Sequence, residues 1–366
     1  MRRLLVSLLG AALLAAPAMA EDEGPSVSFS GMLDADVWTD FTGKFYTNSE
    51  LDLGMTAKFN DAVSAHVYAT VNSMYAPSGG RIPAGTAAPN ERWIDFAFDG
   101  FDIEYATKFG TFTAGDLVYQ FGKFNYYFYK RLSMITPESF TRGLKYSLGN
   151  DMITQTLSLG VADANYGTGD VVGTTLLSLG EDQSVEAYYG VRGDVSLDFK
   201  SAADVFVGAE YKGAFGPLSV KADVGYKSLM GEDRSSTVAL LLEPTLALGK
   251  FSIAASVYAF VDPDSTNYKS FMDTTGVLSS TNPVDDEMVI YVEPGVSVTD
   301  NFGIGLPLEL HDDFLATEDD MEFWAVPTFY IYPTDKVQWW IWGSLVQPLY
   351  DADPFWGLGS EIIVNF

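Results

Sequence analysis

The chain of 366 residues carries 21 Lys and Arg against 49 Asp and Glu, a formal charge of −28, with 47% hydrophobic and 14% aromatic residues and no cysteine. The charge disfavours nucleic acid as a partner, and the missing cysteines exclude disulfides, thiolate metal sites and a cysteine nucleophile. The apolar content is too high for a disordered acidic chain.

In chain order, Arg2 and Arg3 precede the apolar run from Leu4 to Ala16, Ala18-Met19-Ala20 fits a small-x-small cleavage site, and Glu21-Asp22-Glu23 follows. This is the pattern of a secretory signal peptide. The expected organisation is a signal peptide over 1–20 and one exported domain over 21–366. No later stretch is apolar enough for a membrane helix.

Period-two alternation dominates the rest. Val27, Phe29, Leu33, Ala35 and Val37 alternate with Ser28, Ser30, Asp34 and Asp36; Val63, Ala65, Val67, Ala69 and Val71 alternate with Ser64, His66, Tyr68, Thr70 and Asn72. Such runs are strands with one apolar and one polar face. Strands are predicted near 27–38, 49–59, 62–74, 92–107, 111–117, 141–148, 152–162, 171–179, 184–192, 203–212, 218–227, 237–248, 251–261, 286–298, 302–311, 320–332, 336–346 and 356–366. That gives 18 strands, or 16 if the two near 171–192 are loop. The apolar phase changes at Asp99-Gly100, which reads as a bulge inside one long strand. Pro244, Pro294 and Pro327 fall inside predicted strands, where proline is normally avoided.

The connectors alternate in length. Short turns such as Asn60-Asp61, Gly249-Lys250 and Thr299-Asp300-Asn301 take turns with long loops such as "APSGGRIPAGTAAPNE" and "HDDFLATE". Short turns at one end and long loops at the other form the layout of an all-β, antiparallel transmembrane barrel with an even strand number. Strand parity then puts Phe59, Tyr105, Phe112, Tyr146, Tyr211, Phe251, Phe302, Phe329 and Phe366 outward beside the short turns. That is a girdle at one bilayer interface.

With the signal, the alternation and the final Ile362, Val364 and Phe366 in view, the chain resembles the Gram-negative outer-membrane porins. The resemblance implies that those three residues form an assembly signal read by the barrel-assembly machinery. It also implies an outer-membrane location amid lipid and lipopolysaccharide, and a homotrimer. The tract "KFGTFTAGD", residues 108–116, is similar to the porin segment that leads into the loop folded inside the pore. Here that loop would be Leu117 to Phe140, with Lys123, Tyr126, Tyr127, Tyr129, Lys130, Arg131 and Glu138 at the constriction. One departure is that Gly115 is followed by Asp116, where many general porins have arginine.

Parity places Asp34, Asp36, Glu50, Asp52, Asp95, Asp102, Glu104, Glu186, Glu210, Asp223 and Glu309 in the lumen. Lys58, Lys145, Arg192, Lys212, Lys221 and Lys227 join them. A water-filled tube with a carboxylate excess concentrates cations and repels anions. The expected function is therefore a passive channel for small hydrophilic solutes that favours cations and needs no cofactor. A carbohydrate-specific channel using the tyrosines of 126–129 is the alternative, and a structural or adhesive barrel without an open pore is the second. An enzyme is disfavoured: the only histidines are His66 and His311, no serine is marked beside either, and no histidine pair suggests a metal site.

Overall fold

The computed structural model describes residues 25–39, 41, 45–75, 92–123, 125–126, 133–163, 168–194, 203–230, 235–261, 288–312, 321–347 and 354–366. The expected signal peptide, together with Tyr127, Tyr129, Lys130 and Arg131, lies outside them.

Every regular element described is a strand: β1 Ser26–Thr39, β2 Phe45–Lys58, β3 Val63–Tyr75, β4 Arg92–Thr107, β5 Gly110–Lys123, β6 Ser133–Gly149, β7 Ile153–Asp163, β8 Thr168–Gly180, β9 Gln183–Asp194, β10 Ala203–Phe215, β11 Leu218–Met230, β12 Ser235–Leu248, β13 Phe251–Val261, β14 Met288–Thr299, β15 Phe302–Gly305, β16 Leu308–Asp312, β17 Met321–Ala325, β18 Thr328–Thr334, β19 Val337–Gln347 and β20 Phe355–Asn365. β15 and β16 are halves of one strand interrupted at Leu306-Pro307, since both pair with β14. β17 and β18 are likewise interrupted at Val326-Pro327, and both pair with β19. The barrel thus has 18 strands, and the 16-strand alternative fails because β8 and β9 are continuously paired.

Neighbouring strands pair antiparallel around the ring, and β1 closes on β20 from Met32↔Asn365 to Thr39↔Leu358. Closure matters because a sheet edge in hydrocarbon would leave amides and carbonyls unsatisfied. At the seam Gly31 and Phe366 exchange both backbone bonds, at 3.2 and 3.1 Å. The Phe366 ring lies over Gly31, where an added Cβ would come 2.6 Å from its Cζ. Glycine is what admits the ring there.

Outward positions are apolar. Phe29, Leu53, Phe96, Leu144, Leu159, Leu242 and Ile253 are all exposed, although a water-soluble fold would bury such residues. The exterior is that of a barrel set in a bilayer. Phe59, Tyr105, Phe112, Phe251, Phe329 and Phe366 are exposed beside the short turns, and Phe112 packs on Tyr146 with ring centroids 4.6 Å apart.

The bulge in β4 is present. Gly100 faces Tyr68 and Phe98 faces Ala69, so Asp99 is the extra residue. The prolines fit by local loss of pairing. β12 and β13 pair at Leu242↔Val257 and next at Thr245↔Ala254, so the ladder skips Pro244, which has no N–H to give. Pro327 lies in the gap between β17 and β18, while Pro294 stays in β14.

One expectation is corrected. Residues Leu117 to Phe140 are not all loop, because β5 continues to Lys123 and β6 begins at Ser133. Leu117, Tyr119 and Phe121 share one face and Val118 the other, and the two strands stay paired as a hairpin to Lys123↔Ser133, with register shifts after Tyr119 and Phe121. What changes is their relation to the wall. Pairing of β5 with β4 ends at Asp102↔Gly115, and pairing of β6 with β7 ends at Arg142↔Val161. Gly115 has φ +138°, a conformation open to glycine, and marks the departure.

Candidate functional site

The barrel interior is the candidate site, and the β5–β6 hairpin organises it. Beyond Gly115 the hairpin leaves the wall, and its tip touches strands seven and nine places further round the ring. The Asn125 N–H donates to Glu243 Oε1 of β12 at 2.9 Å. Tyr126 Oη and Thr245 Oγ1 are 2.5 Å apart. The Tyr126 ring stacks on Tyr291 of β14 at 5.7 Å and 13°. Contacts between such distant strands cross the lumen. Glu243 is only 2% exposed, and its Oε1 also accepts from Ser256 Oγ at 3.1 Å.

Aromatic packing fills the space beneath the hairpin. Phe121 stacks on Tyr188 of β9 at 4.5 Å and meets Phe206 of β10 at 5.7 Å. Val172, Leu241, Tyr258, Val289 and Tyr291 complete this buried cluster, with Tyr119 and Tyr126 packed against it. The tyrosine hydroxyls are spent on carboxylates. Tyr119 donates to Asp170 at 2.6 Å, Tyr188 to Asp223 at 2.6 Å, and Tyr291 and Tyr330 each to Glu293 at 2.6 Å. These bonds offset the cost of burying the hydroxyls and carboxylates, although Asp223 Oδ2 has no hydrogen-bond partner among the described residues.

Basic residues share the same side. Lys212 lies 2.5 Å from Glu210, and Lys221 lies 3.5 Å from both Glu210 and Glu243. The sequence-predicted Glu186, Glu210, Asp223 and Glu309 thus face inward on a wall whose charge is partly neutralised by lysine.

The wall formed by β20, β1, β2, β3 and β4 differs. Asp34 pairs across to Glu50, Asp36 to Glu361, and Asp52 to Thr70, so these side chains share the inner face. Asp102 and Glu104 follow on β4, and the bulge adds Asp99, which accepts from Thr70 Oγ1 at 2.6 Å. Asp52 Oδ1 lies 2.8 Å from the same hydroxyl, so the two carboxylates share its one proton. Asp95 belongs to β4 opposite Asn72, though its side chain is outside the described set. Among the described side chains the bases on this wall are His66, whose Nδ1 is 2.8 Å from Asp102 Oδ1, and Lys58, which pairs with Asp61 at the rim.

Of the expected constriction residues, Tyr126 is brought to the opposite wall. Lys123 and Glu138 are placed by backbone alone, in β5 and β6. Asp116, the departure noted in the sequence, does not enter the lumen. It lies on the outer face, where Arg142 Nε and an Arg142 terminal nitrogen donate to its two carboxylate oxygens at 2.7 and 3.0 Å. The Phe101 N–H, left over by the bulge, donates to the same carboxylate at 3.0 Å. Sequence reading missed Glu243, Glu293, Asp99 and Asp170. Glu243 was detectable as the one acid on the inner face of the apolar run "LLLEPTLAL", and Asp99 as the residue the phase change sets free.

No protein-family model and no curated protein sequence matches the chain. Solved structures do. A BenF-like porin from Pseudomonas fluorescens Pf-5 matches with TM-score 0.62 at 8% identity, covering 93% of this chain and 98% of that one. OccAB1 of Acinetobacter baumannii matches with TM-score 0.59 at 9% identity, covering 95% and 99%. OccK8 (OprE) of Pseudomonas aeruginosa matches with TM-score 0.56 at 11% identity, covering 94% and 98%. At such identities the likeness is one of architecture, and the chain has the fold of the Gram-negative outer-membrane porins.

Proposed function

We propose that this protein is an outer-membrane diffusion channel for small hydrophilic solutes that prefers cations. The observation that carries the reading is the run of inward carboxylates along β20 to β4. The hairpin and the aromatic cluster occupy the side of the lumen lined by β8 to β14. Passage is left along β20 to β4, where Asp34, Asp36, Glu50, Asp52, Asp99, Asp102, Glu104 and Glu361 face inward. A carboxylate-lined, low-dielectric conduit focuses a negative potential and raises the local cation concentration. The porin architecture and an apolar exterior with an aromatic girdle support the membrane setting. By the same likeness the protein is read as a homotrimer, and OmpT of Vibrio cholerae, solved in a trimer form, matches with TM-score 0.50.

The zero-current potential across a planar bilayer with a KCl gradient tests this. A cation preference is expected; an anion preference refutes the charge argument, and no conductance favours a closed, structural barrel. For the carbohydrate alternative, Tyr126 stacks on Tyr291, and Tyr127 and Tyr129 lie outside the described residues.

A further inference from the structure

Among the inward tyrosines, Tyr68 stands apart. Tyr119, Tyr188, Tyr291 and Tyr330 each donate to a carboxylate. Tyr68 makes no such bond among the described residues, and its ring is 43% exposed on the inner face of β3. Its cross-strand row is stripped of bulk: Ser30 of β1 faces Gly54 of β2, which faces Tyr68, which faces Gly100 of β4. A side chain added at Gly100 would meet Asp116 on the outer face, so it clears the lumen side as well. The ring is thus an accessible aromatic surface on the acidic wall, more exposed than Trp38 on the same face of β1, with His66 stacked beside it at 6.4 Å and 22°.

We propose that Tyr68 is the specificity-determining residue of the conduit, favouring organic ammonium ions over inorganic cations of the same charge. The inference rests on the reading of β20 to β4 as a cation path and adds the class of solute. Two features support it. An aromatic face attracts a cation through its quadrupole, most strongly one that is weakly hydrated. Carboxylates also lie nearby on the same face: Asp102 is two residues from Gly100, the cross-strand partner of Tyr68, and bonds His66 at 2.8 Å, while Asp52 and Asp99 both reach the hydroxyl of Thr70, two residues along β3.

Single-channel recording with tetraethylammonium tests the proposal, on Tyr68→Leu and Tyr68→Phe channels whose folding is checked by heat-modifiable gel migration. In the unaltered channel tetraethylammonium is expected to interrupt the potassium current. Tyr68→Leu should shorten each residence by roughly three- to thirtyfold, and Tyr68→Phe, which keeps the ring, should retain it. Equal residence in the unaltered and Tyr68→Leu channels overturns the proposal, as does an equal loss in Tyr68→Phe. Absence of interruption in a cation-selective channel overturns it too, while leaving the diffusion channel intact. Preference in KCl alone is read before the organic ion is added, so a failure of the channel's charge reading is seen separately.

Discussion

Removing the Glu243 carboxylate should free the tip of the hairpin. That carboxylate accepts the Asn125 N–H at 2.9 Å, and Lys221 is 3.5 Å from its other oxygen. A hydrogen bond to a charged group is worth about 1.5–3 kcal/mol net. At about 1.4 kcal/mol per tenfold, Glu243→Ala should raise the fraction of time the tip spends detached by about ten- to a hundredfold. The loss is partial, because Tyr126 still stacks on Tyr291 and bonds Thr245. Glu243→Gln keeps an acceptor but loses the charge, so it should fall between. Single-channel recording reads the outcome as added open-channel noise and a shifted mean conductance, graded from Gln to Ala. If both variants show the conductance and noise of the unaltered channel, the tip is not held by this contact and the reasoning fails.

Three further outcomes follow from the same structure. Asp116→Ala leaves the outward Arg142 without its carboxylate partner and removes the acceptor of the Phe101 N–H. Unfolding titrations in lipid should show a loss, of about 2–4 kcal/mol for an uncompensated outward arginine at the bilayer midplane and about 0–1 kcal/mol near an interface; a neutral result would mean that the arginine finds water. Gly31→Val sets a side chain against the Asp52 carbonyl oxygen, 2.2 Å from an added Cβ, and against the Phe366 ring, and heat-modifiable migration should show a lower folded fraction; unchanged yield would show that the seam shifts at no cost. Cation preference should fall as KCl rises from about 0.1 to 1 M, because the Debye length shrinks from about 10 to 3 Å. A salt-independent preference would assign selectivity to pore width instead of charge.

Much of the fold was legible in the sequence because a barrel needs only two things from it: alternation and turn chemistry. Val63 to Val71 states its faces residue by residue, and the phase slip at Asp99-Gly100 is the bulge itself. The hairpin was not legible in the same way. Its strands alternate as wall strands do through Phe121, and the departure depends on Gly115 adopting a φ of +138°, which sequence does not announce. Its seat is farther out of reach. Asn125 and Glu243 are 118 positions apart, and no local pattern links a tip amide to one carboxylate on the far wall. Asp116 shows the converse. Sequence marked it only as a departure from the porin pattern, and its purpose appeared once the bulge left an amide for it to satisfy.

The hairpin also makes the barrel mechanically uneven. From β8 to β14 the wall is backed by a second layer of chain and packed rings, while among the described residues β20 to β4 form a single sheet softened by Gly31, Gly54, Gly100 and the bulge. A tube stiff on one side and thin on the other does not ovalise evenly. Squeezed across its width, such a tube is expected to yield first along β20 to β4, where the described wall is one strand layer thick.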